Sequence, residues 1–299
     1  MRPSMNIKSV IGDMVKLRFL EKAGSELGLR LLSGAVLATV SIATAILGSW
    51  WFAGWVLVLT LAVTHEWFTI TRAPGKWAAV AAVVGTWIAI AVQGEIVLAL
   101  YVVVMGSVGT AMFSMVQRGG QGGLWGAAGT LYATIPLAAL IWIRSAEGGG
   151  EPILWQAADG GGKPILWLFF VVWATDSGAY AVGRLVGGVK LAPSISPGKT
   201  WSGALGGLFV AMVLGVLFAS LIQADVERAA IFAAIVSVAA QVGDLLQSAL
   251  KRRFKVKDSG TLIPGHGGVM DRLDSLVIAA PVLVIVVTFV AFATGGMGG

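Results

Sequence analysis

Residues 275–294 read Ser-Leu-Val-Ile-Ala-Ala-Pro-Val-Leu-Val-Ile-Val-Val-Thr-Phe-Val-Ala-Phe-Ala-Thr, without one ionisable side chain. About 20 predominantly apolar residues are enough for a helix to cross the hydrocarbon core of a bilayer. Upstream of this run lie eight more apolar segments, at 31–48, 51–70, 77–93, 95–116, 124–143, 164–185, 203–222 and 229–250. Gly48-Ser49-Trp50 alone separates the first two, and Gln93-Gly94-Glu95 the third from the fourth. The expectation is an all-α fold, a polytopic transmembrane helical bundle of about nine spans. Composition agrees: of 299 residues 57% are hydrophobic and only 12% charged, whereas a water-soluble domain is charged at about one residue in four. A water-soluble enzyme is excluded. Cysteine is absent, which excludes disulfides, thiolate metal sites and a cysteine nucleophile. Two histidines leave little room for a histidine-rich metal site or proton relay. The 41 glycines suit close helix packing in lipid.

The net charge of +6 is read as basic loops on the cytoplasmic side of a membrane, not as a nucleic-acid footprint. With the N-terminus inside, 18 of the 21 Lys and Arg residues fall in inner segments, leaving Arg144, Lys163 and Arg228 outside. The Gly-rich C-terminus then lies outside. Residues 1–30 carry six basic side chains before any long apolar run, so no cleaved leader is expected. There Ile7, Val10, Ile11, Met14 and Leu17 recur at helical spacing, the pattern of an interfacial amphipathic segment. The chain thus divides into that segment (1–30), spans one to five with an outer loop (31–163), and a C-terminal region of spans six to nine with two inner loops (164–299).

An ionised side chain inside a span costs about 2.5–3.5 kcal/mol on insertion scales, so each one needs a reason. Asp176, in Trp173-Ala-Thr-Asp-Ser-Gly-Ala-Tyr180, shares a helical face with Tyr180 and Arg184. Asp244 shares another with Gln241, Ser248 and Lys251. Both faces open toward the inner side, the pattern of a water-filled cavity. Nearby cations could pair with either aspartate in a purely structural way. His65 and Glu66, at the inner end of span two, are read as interfacial packing, and the tryptophans near span ends as interface anchors.

Two inner loops are of a different kind. Lys190-Leu-Ala-Pro-Ser-Ile-Ser196-Pro-Gly-Lys199-Thr200 contains Gly-Lys-Thr. Pro193 stands where a phosphate-binding P-loop needs its first glycine, so it is not a Walker A loop, although lysines beside hydroxyls still suit phosphate. The second loop begins Lys251-Arg252-Arg253-Phe-Lys255-Val-Lys257-Asp258 and continues through Pro264-Gly-His266-Gly267-Gly268 to Asp271-Arg272-Leu-Asp274. Five basic residues in seven would by default be a headgroup-binding patch. Here they run into glycines that let backbone approach a ligand and into paired carboxylates. Helix capping accounts for one of Asp271 and Asp274 better than for both. Interleaved cations and carboxylates suit a metal-bridged polyphosphate.

These residues resemble the C-terminal signature of the phosphatidate cytidylyltransferase (CDP-diacylglycerol synthase) family. The matching elements are Ser248-Ala-Leu-Lys-Arg252, Lys257-Asp258, Pro264-Gly-His-Gly-Gly268 and Asp271-Arg-Leu-Asp274, supported upstream by Asp176-Ser-Gly-Ala-Tyr180, Leu191-Ala-Pro193 and Ser196-Pro-Gly-Lys-Thr200. The recognisable part covers roughly 170–275. Gly198 departs from the Ser-Pro-Lys-Lys-Thr core usual in the family, and Ser202 stands where a glutamate is common.

The resemblance implies CTP and phosphatidate as substrates, CDP-diacylglycerol and pyrophosphate as products, and a magnesium requirement in a bacterial cytoplasmic membrane with the site facing the cytoplasm. Asp244 and Asp271 are then the metal ligands. Asp258 and Asp274 are further ligands, for a second cation if one is present. Lys199, Lys251, Arg252, Lys257 and Arg272 neutralise phosphate charge. His266 with Gly267 and Gly268 shapes the nucleotide pocket, to which Ser196, Thr200, Ser248 and Asp176 contribute polar wall. Membrane lipids are partners and nucleic acid is not; a homodimer is allowed. Two other classes fit less of the sequence. A CTP-dependent lipid-alcohol kinase lacks a reason for the His-Gly-Gly stretch and the lysine loop. A transporter would be expected to show paired broken helices, and none are found.

Overall fold

The computed structural model describes residues 32–145, 162–263 and 267–293. The expected amphipathic segment at 1–30, most of the outer loop before Lys163, His266 and the Gly-rich end lie outside the described residues. The chain forms α1 (Leu32–Leu47), α2 (Ser49–Thr71), α3 (Lys76–Val92, its last turn π-helical), α4 (Ile96–Ser145), α5 (Lys163–Val186), α6 (Trp201–Leu221), α7 (Val226–Arg253) and α8 (Met270–Ala293). Between α5 and α6 lie two short antiparallel strands, β1 (Lys190–Ala192) and β2 (Ser196–Thr200). The protein is a predominantly helical polytopic membrane protein, and among the described residues this hairpin is the one two-stranded sheet beside the expected helices.

Six of the helices, α2 and α4 to α8, are long and apolar enough to cross a membrane, fewer than the nine apolar segments of the sequence. Two causes account for the difference. Helices α1 and α3 are short. The apolar segments at 95–116 and 124–143 are joined in α4, which at 50 residues and 1.5 Å per residue is far longer than a bilayer is thick. Its backbone leaves helical geometry at Arg118 (φ −135°, ψ 15°) and Gly119 (φ 70°, ψ −168°). Glycine tolerates that positive φ without a Cβ penalty. Beyond the kink the second limb packs back on the first, so closely that a Cβ on Gly122 would lie 2.8 Å from the Ser114 carbonyl oxygen.

Helix α6 shows why these segments belong in lipid. Gly203, Gly207, Ala211, Gly215 and Ala219 are buried, while Leu205, Phe209, Val213 and Leu217 are exposed. A soluble protein buries the large residues and exposes the small ones. In lipid there is no hydrophobic drive to bury leucine, and small residues let helix backbones meet. A Cβ on Gly207 would sit 2.7 Å from the Thr175 carbonyl oxygen of α5. Trp167 of α5 anchors the contact by donating its indole N–H to the Gly215 carbonyl (3.0 Å). The core proper runs through Phe52, Leu137, Ile165, Trp167, Leu168 and Leu283. Where α7 and α8 cross, Gly243 abuts the Asp274 carbonyl with no room for a side chain. This close approach brings Asp244, the next residue, up to the first turns of α8.

Candidate active site

Helix α8 begins at Met270, five residues before its long apolar run, so Asp271 and Asp274 occupy its first two turns. They face a cavity of about 420 Å³ that is also lined by Asp176 of α5, Asp244 of α7 and Arg272. Its remaining wall is mostly apolar, from α1, α2, α4 and α5. Residues assigned from separate parts of the sequence therefore converge. Lys199 of β2 pairs with Asp244 (Nζ–Oδ2 2.5 Å), and Ser248, one turn along α7, donates to the same carboxylate at 3.4 Å. Lys251, the next polar residue on that face, pairs with Asp271 (2.8 Å). Asp176 accepts from the Ser275 hydroxyl (3.3 Å to each oxygen). Asp176, Asp244 and Asp274 lie near enough to repel one another, a field offset by Lys199 and Lys251.

Asp271 is the most heavily bonded of the four. One oxygen accepts from Gln247 (2.9 Å) and Lys251 (2.8 Å), the other from the backbone N–H of Ser259 (2.8 Å) and of Gly268 (3.1 Å). It thus ties the glycine-rich loop to α7, and of the two carboxylates in this stretch it is the one that binds turn N–H groups. Gly267 passes beside it with φ +82°, and a Cβ there would meet the Asp271 carboxylate at 3.1 Å.

Other candidates sit at the margins. Thr200 is buried and caps α6, accepting from the Gly203 N–H (3.1 Å). Ser202 bonds Thr200 and the Gly187 carbonyl, so both hydroxyls hold the hairpin to the helices. Arg252 donates to the Ile195 carbonyl at the hairpin tip (3.2 Å). Ser196 is half-buried in β2, while Lys257 and Asp258 are exposed on the loop before Ser259. His65 is exposed and contacts Lys76.

The reading of Glu66 as interfacial packing is overturned. Glu66 is 2% exposed and bonds to Ser259, Val269 and Met270, some two hundred positions along the chain. A buried carboxylate must find donors, so the rule that flagged Asp176 and Asp244 in the sequence applies equally to Glu66. Its place near a span end argued the other way.

The donor set is chemically suited to a hard divalent cation. Asp244 and Asp271 both line one cavity and are balanced by lysine ammonium groups, which are mobile point charges; an ion bound by Asp271 would take the place of a present donor, Lys251 being the mobile one. Two further carboxylates add negative field. Magnesium takes one or two protein carboxylates plus substrate phosphates, which matches this arrangement. No three carboxylate or imidazole groups are gathered as a ready cage among the described residues.

Fold and site together define an integral membrane protein with a charged cavity set against an apolar helical wall. Residues 28–290 match the model of the cytidylyltransferase family. The chain is 38% identical over 265 residues to the phosphatidate cytidylyltransferase of Brucella suis, covering 87% of this chain and 92% of that protein. The enzymes of that name from Bacillus subtilis (47% over 115 residues, 38% of this chain and 43% of that one) and Haemophilus influenzae (49% over 120 residues, 38% and 42%) are similar over a shorter stretch. The chain belongs to the cytidylyltransferase family.

Proposed function

We propose that this protein transfers the cytidylyl group of CTP to phosphatidate, forming CDP-diacylglycerol and pyrophosphate for phospholipid synthesis. The observation that carries this reading is the convergence of Asp176, Asp244, Asp271 and Asp274 on one cavity with an apolar wall, with Lys199 paired to Asp244 and Lys251 to Asp271. A lipid with an anionic head needs both surfaces. The head of phosphatidate is a phosphomonoester carrying roughly −1.5 to −2 charges, and it must approach a polyanionic nucleotide. Its oxygen attacks the α-phosphorus of CTP while the bond from that phosphorus to the bridging oxygen of pyrophosphate breaks. The nucleophile is already an oxyanion, so no general base is required. Positioning and charge neutralisation carry the reaction. Lys199 and Lys251 stand beside the carboxylates for that task, with Arg272 on the cavity and Lys257 on the adjoining loop. Asp244 and Asp271 would hold magnesium, which would supply neutralisation of phosphate charge.

The same reading sets the topology. Counting α1, α3 and both limbs of α4 as crossings gives nine spans, with the N-terminus in the cytoplasm and the C-terminus outside. The distribution of Lys and Arg supports this orientation. The site then opens to the cytoplasm, where CTP is found, at the inner membrane of a bacterium.

The test uses the purified protein in mixed micelles with phosphatidate, magnesium, and CTP labelled at either the α or the γ phosphorus. Alpha label should enter the lipid and γ label pyrophosphate, and chelation of magnesium should stop both. Gamma label in the lipid would instead identify a kinase.

A further inference from the structure

Glu66 lies in α2, five residues before its end, with buried Val63, Trp67 and Ile70 around it. Among the described residues no basic side chain pairs with it. Its donors come from the other end of the chain. One oxygen accepts from the Val269 N–H (2.9 Å), the other from the Met270 N–H (2.8 Å) and the Ser259 hydroxyl (3.0 Å). Val269 and Met270 open α8, where N–H groups have no intrahelical acceptor and the helix dipole favours an anion. A carboxylate from the second helix thus caps the eighth. The loop is shaped around it: a Cβ on Gly260 would lie 2.7 Å from Glu66 Oε1, and one on Gly268 would overlap both Glu66 and Ser259.

The partners of Glu66 are also those of Asp271. Ser259 gives its hydroxyl to Glu66 and its N–H to Asp271, while Gly268, bonded to Asp271, adjoins Val269, bonded to Glu66. Two carboxylates from opposite ends of the sequence therefore grip one turn. We infer that Glu66 is a positioning residue for cytidylyl transfer: by fixing Ser259 and the start of α8 it holds Asp271 and Lys251 in register with Asp244, without touching either substrate. This rests on the activity proposed above.

The experiment uses full-length protein in lipid nanodiscs carrying E66Q, E66D or S259A, with L283A as a core substitution in α8 remote from the loop. An amide at position 66 must turn its NH2 toward the N–H of either Val269 or Met270. Turnover per folded protein should fall about 10–100-fold in E66Q, as for residues that orient a metal ligand, with KM for phosphatidate unchanged. E66D, which keeps both acceptors, should recover part of the loss. Tryptic cleavage after Lys255 or Lys257 should rise about tenfold in E66Q through local opening of the loop. S259A, which removes only the loop side of the contact, should shift both readouts the same way by less, and it decides the matter if E66Q does not fold. L283A should lower the thermal midpoint and move neither readout.

The inference is overturned if E66Q keeps wild-type turnover and cleavage, or if L283A matches it in both. It is equally overturned if turnover falls with cleavage unchanged, which would put Glu66 in the chemistry instead. Wild-type protein that forms no CDP-diacylglycerol would sink the proposed activity, while the cleavage comparison would still decide the role of Glu66 in holding the loop.

Discussion

The two loops flanking the cavity keep their shape by opposite means. The lysine hairpin is built locally: Lys190 pairs with Thr200 and Ala192 with Ser196, and Ile195 N–H closes the turn on the Ala192 carbonyl (3.1 Å). It then docks on α7 through Lys199–Asp244 and Arg252–Ile195. Among the described residues the glycine-rich loop has a single backbone bridge, Ile263 to Gly267, and otherwise borrows its shape from Asp271 and the distant Glu66. A locally built loop can lose a docking contact and stay itself. A borrowed one cannot, so chemistry and stability should separate at the hairpin and coincide at the glycine-rich loop.

The largest effects test this directly. Asp244→Asn and Asp271→Asn should each cut turnover about a thousandfold or more, since each removes an anionic ligand of the proposed magnesium site. Their stabilities should differ. Lys199 and Asp244 are 26% and 30% exposed, so that pair contributes only about 0–1 kcal/mol to stability. Asp271 is 7% exposed and its partner Lys251 19%. An amide there would turn an NH2 against either two backbone N–H groups or Lys251 and Gln247. Breaking a buried pair costs roughly 3–5 kcal/mol, so D271N should melt several degrees below wild type and D244N close to it. Equal melting points, measured by tryptophan fluorescence in nanodiscs, would erase the distinction.

A middle-sized effect is expected at Arg252. Arg252→Ala removes the bond to Ile195 but leaves the strand pairing and Lys199–Asp244. The hairpin should remain folded with its lysine less well placed, raising KM for CTP about three- to tenfold, the scale of one ordinary, solvent-exposed hydrogen bond. The melting point should not move. Titration of turnover against CTP checks this, and a collapse in stability would show that the hairpin too depends on its neighbours.

The same contrast explains what the sequence disclosed. Hydropathy alone located the helices, because a bilayer imposes length and apolarity on each crossing. Asp176 and Asp244 were legible because charge inside apolar runs is costly and their spacing aligns them with other polar residues on helix faces, Lys199 because it stands beside hydroxyls in Gly198-Lys199-Thr200, and the Asp271–Asp274 stretch because paired carboxylates follow a dense run of cations. The strands were not, since Ser196-Pro197-Gly198 carries turn residues and no alternating apolar pattern. The role of Glu66 was hidden by distance: its partners lie about two hundred residues away, and only the folded bundle brings them together. The join at Arg118 and Gly119 was half legible, the break visible as polar and glycine residues, the continuity of the helix not.

The smallest effect expected is at Gly198, where the family commonly carries a lysine. This glycine is exposed in β2, its φ is not positive, and a Cβ there would meet nothing within 4 Å. Nothing in the backbone therefore requires glycine. Strand alternation points position 198 away from the face on which Lys199 reaches Asp244, so a lysine there would add charge near the cavity without entering it. Gly198→Lys should leave the maximal rate within about twofold. It should lower KM for CTP by no more than about threefold at low salt, an effect that fades as salt screens the added charge. A salt-independent change in maximal rate would mean that the hairpin's outer face also meets the reacting phosphates, and the loop would then be less self-contained than its hydrogen bonds imply.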